Sequence, residues 1–117
     1  MKERMLVMNG SRLIQNDSKG EWVTEKVEKA NDVKPGVYNL YLAKEADKSK
    51  NHTGTIIHND KSFIYQQVGK AIVTHKIRDF PKKPPEVGQL RSIDYNDQGT
   101  ALVSKANTAA LKRGVKI

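Results

Sequence analysis

Turn-forming residues interrupt this chain about every 8–12 positions, and that spacing leaves room for short strands but not for long helices. The clearest instance is Asn9-Gly10, set between Arg4-Met5-Leu6-Val7-Met8 and Ser11-Arg12-Leu13-Ile14-Gln15. A two-residue type I′ turn needs positive φ at both central residues, which Asn-Gly supplies. The spacing therefore predicts a hairpin at the N-terminus. Asn16 to Gly20 reads as a polar break. Val23, Val27 and Ala30 then recur at i, i+4 and i+7, with Thr24 as a cap and Glu25–Lys29 as an i, i+4 ion pair, which predicts a short helix over 24–31.

Beyond the Pro35-Gly36 turn, alternation returns. Tyr38, Leu40 and Leu42 share one face of a strand over 37–43, with Asn39 and Tyr41 on the other. Lys44 to Thr53 is uninterruptedly polar and reads as an exposed loop. Strands are expected at 55–58, 62–67 and 70–77, joined by Asn59-Asp60-Lys61 and Val68-Gly69. The prolines at 81, 84 and 85 lack N–H donors and exclude regular structure there. A last hairpin, 89–95 with 100–104, closes over Asn96-Asp97-Gln98-Gly99. Lys105 to Ile117 forms a basic tail, with Ala106, Ala109, Ala110 and Leu111 marking a short helix. The expected fold is mainly β: a small curled antiparallel sheet or half-closed barrel of SH3/OB size, with one short helix and a basic tail.

At 117 residues the chain has the length of a single domain. Its expected parts are an N-terminal hairpin and short helix over 1–32, a β core over 33–104, and the tail over 105–117. No apolar run approaches the roughly 18 residues of a spanning helix, and no signal-peptide core is present. A cytoplasmic protein with no membrane contact is expected. Cysteine is absent, which removes disulfides, thiolate nucleophiles and Cys-ligated metal centres.

The charge is uneven. Residues 1–60 hold ten Lys/Arg against nine Asp/Glu, whereas 61–117 hold eleven against four, so almost all of the +8 net charge lies in the second half. That fits either a nucleic-acid footprint or a solvated basic surface. The candidate nucleic-acid contacts are Lys70, Lys76, Arg78, Lys82, Lys83, Arg91, Lys105, Lys112 and Arg113. Lys70 and Lys76 share a face of the 70–77 strand; Lys82 and Lys83 are held outward by their prolines.

Catalytic motifs are missing. No G-x-S-x-G elbow, G-x-G-x-x-G or phosphate loop occurs, and Asp94 and Asp97 sit where a hairpin turn expects Asp. His58 and His75 fall on neighbouring strands, with Asp60 or Asp79 nearest as a further ligand, but no HxH or HExxH spacing supports them. No catalytic, cofactor or metal site is assigned. Tyr38, Phe63 and Tyr65 are read as core rather than as base-stacking platforms. Trp22 is read as the anchor of the 24–31 helix. Gln66 and Gln67 are the odd pair, because a strand amide demands partners if it is buried.

One ordered set of residues carries a resemblance. It runs Gly54-x-Ile56-x-His58-x-Asp60, Tyr65-Gln66-x-x-Gly69-Lys70, His75, Pro85-x-x-Gly88, Ile93-x-Tyr95 and Gly99-x-Ala101-x-Val103, preceded by Pro35-Gly36-Val37-Tyr38 through Ala43. This order resembles the KfrB domain over about residues 33–104. The Lys82-Lys83-Pro84-Pro85 spacing departs from it. The resemblance implies a protein of conjugative plasmids and mobile elements that works with protein partners near plasmid DNA, without catalytic activity of its own. The matching positions, of unassigned role, are His58, Tyr65, Gln66, Gly69, Lys70, His75, Gly88 and Tyr95. The expected function is a non-enzymatic accessory of plasmid maintenance or transfer that binds a protein partner from the same element. The alternative is a small barrel that binds DNA or RNA directly, without sequence preference, through the basic second half. A small enzyme or metal protein ranks third.

Overall fold

Asn9 and Gly10 adopt φ of 50° and 76°, and the hairpin they close pairs β1 (Glu3–Met8) with β2 (Ser11–Ser18) in the register expected of a two-residue turn. The computed structural model describes residues 2–31 and 33–105. The expected tail helix, and with it Lys112 and Arg113, lies outside the described residues.

The second turn is also a hairpin. Asn16, Asp17 and Ser18 belong to β2, so the polar break is only Lys19-Gly20, again with two positive φ values, 53° and 83°. It leads into β3 (Glu21–Lys29), a nine-residue strand where a helix over 24–31 was expected. A β-bulge explains the misreading. Gln15 pairs with Thr24 and Ile14 with Lys26, so Glu25 is the extra residue and the alternation changes phase across it. Val23 and Val27 therefore lie on opposite faces of a strand while keeping the four-residue spacing of a helical stripe.

The 37–43 strand is corrected as well. β4 is only Gly36–Tyr38, paired with β1. Leu40–Leu42 winds into a 3₁₀ turn, and β5 (Lys44–Glu45) then pairs in parallel with β8 (Ala71–Lys76). The chain changes sheets here, which a straight strand cannot do. Tyr38 and Leu40 are buried as expected, but Leu42 is exposed. The polar 44–53 stretch is less loop-like than expected: it starts in β5 and ends in β6 (His52–Asn59), with His52 buried.

The remaining strands follow the sequence reading closely: β7 (Phe63–Val68), β9 (Leu90–Tyr95) and β10 (Ala101–Lys105). A 3₁₀ turn over Ile77–Asp79 leads out of β8. The result is two sheets, not a closed barrel. One is four-stranded, in the order β3-β2-β1-β4; the other is six-stranded, in the order β10-β9-β6-β7-β8-β5.

One apolar cluster lies between the sheets. Met5, Val7 and Ile14 meet Ile57 and Tyr65, with Tyr38, Leu40, Ala30 and Val33 around them. A second forms on the other face of the six-stranded sheet, where Ile56, Ile64, Ile93 and Ala101 are covered by Phe80, Ile77 and Val87. A second bulge lets adjacent residues serve both. Ile56 pairs with Gln66 and His58 with Tyr65, leaving Ile57 as the extra residue. Ile56 thus faces the outer cluster, and Ile57 faces the inner one.

Candidate functional site: a buried polar brace and two open surfaces

Gln66 lies on the Ile64 face of β7 and is fully buried. Its amide nitrogen donates to three backbone carbonyls: His52 at 3.1 Å, Gly54 at 3.3 Å and Arg91 at 3.0 Å. That orientation leaves Oε1 as a pure acceptor, 2.8 Å from His75 Nε2. His75 must therefore carry its proton on Nε2, and its Nδ1 lone pair accepts the Tyr95 hydroxyl at 2.6 Å. Burial pushes the His75 imidazole down to about 4, and the nearby His52 acts in the same direction. Burial, helped by Asp79, pushes the Tyr95 phenol up to about 12. His52 Nε2 donates to the Asp47 carbonyl at 2.9 Å and packs edge-on against His75 with ring centres 5.4 Å apart. Phe80 covers the network, and Lys48 lies over the Tyr95 ring while pairing with Asp79 at 3.1 Å.

The chemistry of this chain of bonds is closed. A general base needs a lone pair free to face substrate. The one lone pair of neutral His75 is taken by Tyr95, and the phenol keeps its proton. Every side-chain polar atom of Gln66 and His75 is spent on a neighbour, so these two residues brace β6, β7, β8 and β9 together. Gly54 is part of the same construction. A Cβ there would land on the Gln67 carbonyl, so only glycine lets the two strands approach.

His58 is not a neighbour of His75. β7 lies between them, and the bulge at Ile57 turns His58 to the opposite face, against Tyr65. Its Nδ1 accepts from the Arg12 guanidinium at 3.4 Å. Burial, then the Arg12 charge, pushes His58 down to about 4. Arg12 is buried and donates through Nε to the Lys29 carbonyl at 2.6 Å, with Glu28 3.8 Å from the guanidinium. No sequence signal marked Arg12; it looked like one more polar position of a hairpin. Asp60 caps its turn by accepting the Ser62 and Phe63 amides, both at 2.7 Å. Among the described residues no three His, Asp or Glu side chains converge on one point.

The basic candidates are distributed, not gathered. Lys76 and Arg78 line an open recess of about 560 Å³ with Lys61 and Phe63. Lys76 also pairs with Glu45 at 3.3 Å. Lys70 is exposed in the Gly69-Lys70 turn rather than on the strand, beside a second recess. Lys82 and Lys83 line a third, with Lys83 paired to Glu86 at 3.1 Å. Arg91 is half-buried on β9, and its guanidinium donates to the Leu90 carbonyl. Lys105 ends β10.

The outer face of the four-stranded sheet carries apolar groups that nothing among the described residues covers. The register sets Val37, Leu6, Leu13 and Val27 in one row across all four strands. Val27 is 61% and Val37 60% exposed. On the same face Arg4 stacks over Trp22 at 4.3 Å, and Trp22 lies 6.2 Å from Tyr41. Trp22 thus stands on a strand and does not anchor a helix.

Two comparisons bear on this geometry. The KfrB domain family model matches residues 51–105. Protein TraB of Escherichia coli is 34% identical over 113 residues, which cover 93% of this chain and 77% of that protein. The chain belongs to the KfrB family of plasmid proteins. In this KfrB-family protein the matched segment holds β6 to β10, including His52, Gln66, His75 and Tyr95 of the brace. Several of the motif positions that resemble the family therefore have structural accounts, whereas Lys70 is exposed in its turn. Gln66, His75 and Tyr95 lock the sheet, and Gly69 takes φ of 62° in its turn. Gly88 packs so closely on Asn31 that a Cβ would meet its carbonyl. β1 to β4, with their exposed apolar row, precede the family match.

Proposed function

We propose that this KfrB-family protein is a non-enzymatic, cytoplasmic accessory of plasmid maintenance or conjugative transfer, and that it acts by binding a protein partner encoded by the same element. The observation that carries this reading is the row Val37–Leu6–Leu13–Val27, flanked by Arg4, Trp22 and Tyr41. The exposed Val27 and Val37, at the two ends of a row whose middle is the half-buried Leu6 and Leu13, have no role in either core. Tryptophan, tyrosine and arginine are the residue types that dominate binding energy at protein interfaces. The tightly bonded brace, in which His75 has no free lone pair and Tyr95 keeps its proton, supports a binding role over a catalytic one.

The test is affinity capture from cells carrying the source plasmid, with and without nuclease. A partner held through this face stays bound after nuclease treatment and is lost when Val27 and Val37 are both changed to Asp. Both side chains are exposed, so the double variant keeps its fold, as circular dichroism checks. Capture that disappears with nuclease, or that the double variant retains, overturns the reading.

Direct nucleic-acid binding stands as the second reading, favoured by Lys61, Lys76 and Arg78 around the half-buried Phe63 ring. A base stacked on Phe63 with its phosphate beside Lys61 and Arg78 would use the chemistry of single-strand binders. Its signature is a log–log salt slope that flattens by roughly 0.7–0.9 for each cation removed.

A further inference from the structure

β10 ends the six-stranded sheet, and among the described residues no strand pairs with its outer side. Sheet edges left open in this way are templates for another chain, and proteins usually blunt them. The other three edges of this molecule are blunted. β4 and β5 are three and two residues long. β3 is long but carries Glu21, Glu25, Lys26, Glu28 and Lys29 and is bulged. β10 has none of these devices over Ala101–Ser104.

The edge opens into a groove of about 360 Å³, lined by Ala101, Leu102 and Val103 on one side and Phe80, Pro81, Lys82 and Lys83 on the other. Three consecutive strand residues line one recess only when the strand presents its edge, since side chains alternate between faces. The facing segment cannot close the gap by joining the sheet itself. Pro81, Pro84 and Pro85 have no N–H to give to a ladder. It supplies instead an apolar wall and two exposed lysines.

We propose that the open edge of β10 and the Phe80–Lys83 wall form a docking groove for an extended acidic segment of a partner protein, which adds to the sheet as a further strand. Backbone hydrogen bonds supply the affinity, and the lysines select the charge. Charge decides among the occupants. A second copy docking edge to edge would set Lys82 and Lys83 of one chain against those of the other. Residues 106–117 of this chain hold Lys112, Arg113 and Lys116 and no acidic residue, so they too have the wrong sign. Lys83 already holds Glu86 at 3.1 Å in an exposed pair that an incoming carboxylate displaces, so Lys82 carries the larger share of the selection. The fitting segment alternates Asp or Glu with aliphatic residues.

This surface is separate from the Val27–Val37 face, so the two proposals fail independently. The test uses the full chain and two labelled peptides of about nine residues, one alternating Glu with Val and one alternating Lys with Val, read by fluorescence anisotropy and by amide hydrogen exchange. The Glu peptide is expected to bind, to protect amides within 101–105, and to bind the Val27→Asp/Val37→Asp variant equally. Charge reversal in Lys82→Glu/Lys83→Glu is expected to weaken it at least about tenfold and to shift preference to the Lys peptide. A variant that binds the Glu peptide as the natural protein does overturns the proposal. So does protection elsewhere than β10, or absence of binding at about 1 mM peptide, the range of a very weak site. An oligonucleotide that binds through Lys82 and Lys83 and outcompetes the peptide without protecting the β10 amides would assign the lysines to nucleic acid instead.

Discussion

Acidification from pH 7.5 to 5 is expected to destabilise this protein through two histidines that the fold holds neutral. His58 and His75 are each pushed from an ordinary 6.5 down to about 4, chiefly by burial. A histidine depressed in the folded state binds its proton more readily when unfolded, so stability is full above the unfolded pKa and declines as pH falls from about 6.5 toward 4. At pH 5 an unfolded imidazole is about 97% protonated and a folded one about one-tenth; integrating that difference gives about 2 kcal/mol for each residue. The pair together accounts for a loss of about 4 kcal/mol, on the order of 15 °C in Tm for a domain of this size. Glu3 works in the other direction, because burial, Glu25 and Asp60 raise its carboxyl and favour the protonated folded form, so the histidine figure is an upper bound. Urea unfolding at half-unit pH steps measures the slope directly. In His58→Asn the absolute stability falls, but the readout is the slope, which should be halved. A stability constant within about 0.5 kcal/mol between pH 7.5 and 5 would refute the assignment of both imidazoles as buried and held neutral.

Two further perturbations probe individual contacts. Gly54→Ala puts a methyl on the Gln67 carbonyl and should cost about 3 kcal/mol, the upper range for overpacking; a Tm within a few degrees of the natural protein would show that β6 and β7 can part freely. Arg12→Met keeps most of the side-chain volume but removes the cation 3.4 Å from His58, so the His58 pKa followed by NMR should rise, and an unchanged value would mean that Arg12 does not act on it.

The sequence was most readable where turn chemistry and alternation agreed. Asn9-Gly10 and the Asn96–Gly99 turn set their hairpins without ambiguity, and in the latter Asn96 Oδ1 accepts the amides of Gln98 and Thr100. Reading failed where one residue shifts the phase. The extra Glu25 in β3 made a bulged strand resemble a helical stripe, and the extra Ile57 in β6 put His58 on a face that simple alternation denies it. The sheet change at Leu40–Leu42 was hidden because Tyr38, Leu40 and Leu42 alternate faultlessly through a turn that is not a strand. Gln66 was legible as a demand, since a strand amide must be satisfied. Its partners were not, because three of the four are backbone carbonyls, which every residue type carries. The brace could be suspected from sequence, but only the strand order could complete it.

That order explains why a small β protein buries so polar a cluster. The six-stranded sheet is apolar on both faces, with Ile57 and Tyr65 toward one core and Ile56, Ile64 and Ile93 toward the other. Register is weakly specified by hydrophobicity in such a sheet, because a one-residue slip exchanges one apolar face for another. Gln66 removes that freedom. Only one register brings its amide to the carbonyls of His52, Gly54 and Arg91 while its oxygen meets His75, and any slip leaves a buried amide and imidazole unpaired. The brace therefore acts through specificity of pairing, and it holds β9, and with it β10, in a fixed position. An edge that is to receive another chain must be held in just this way, since a strand that could slip would offer its partner no constant row of donors and acceptors.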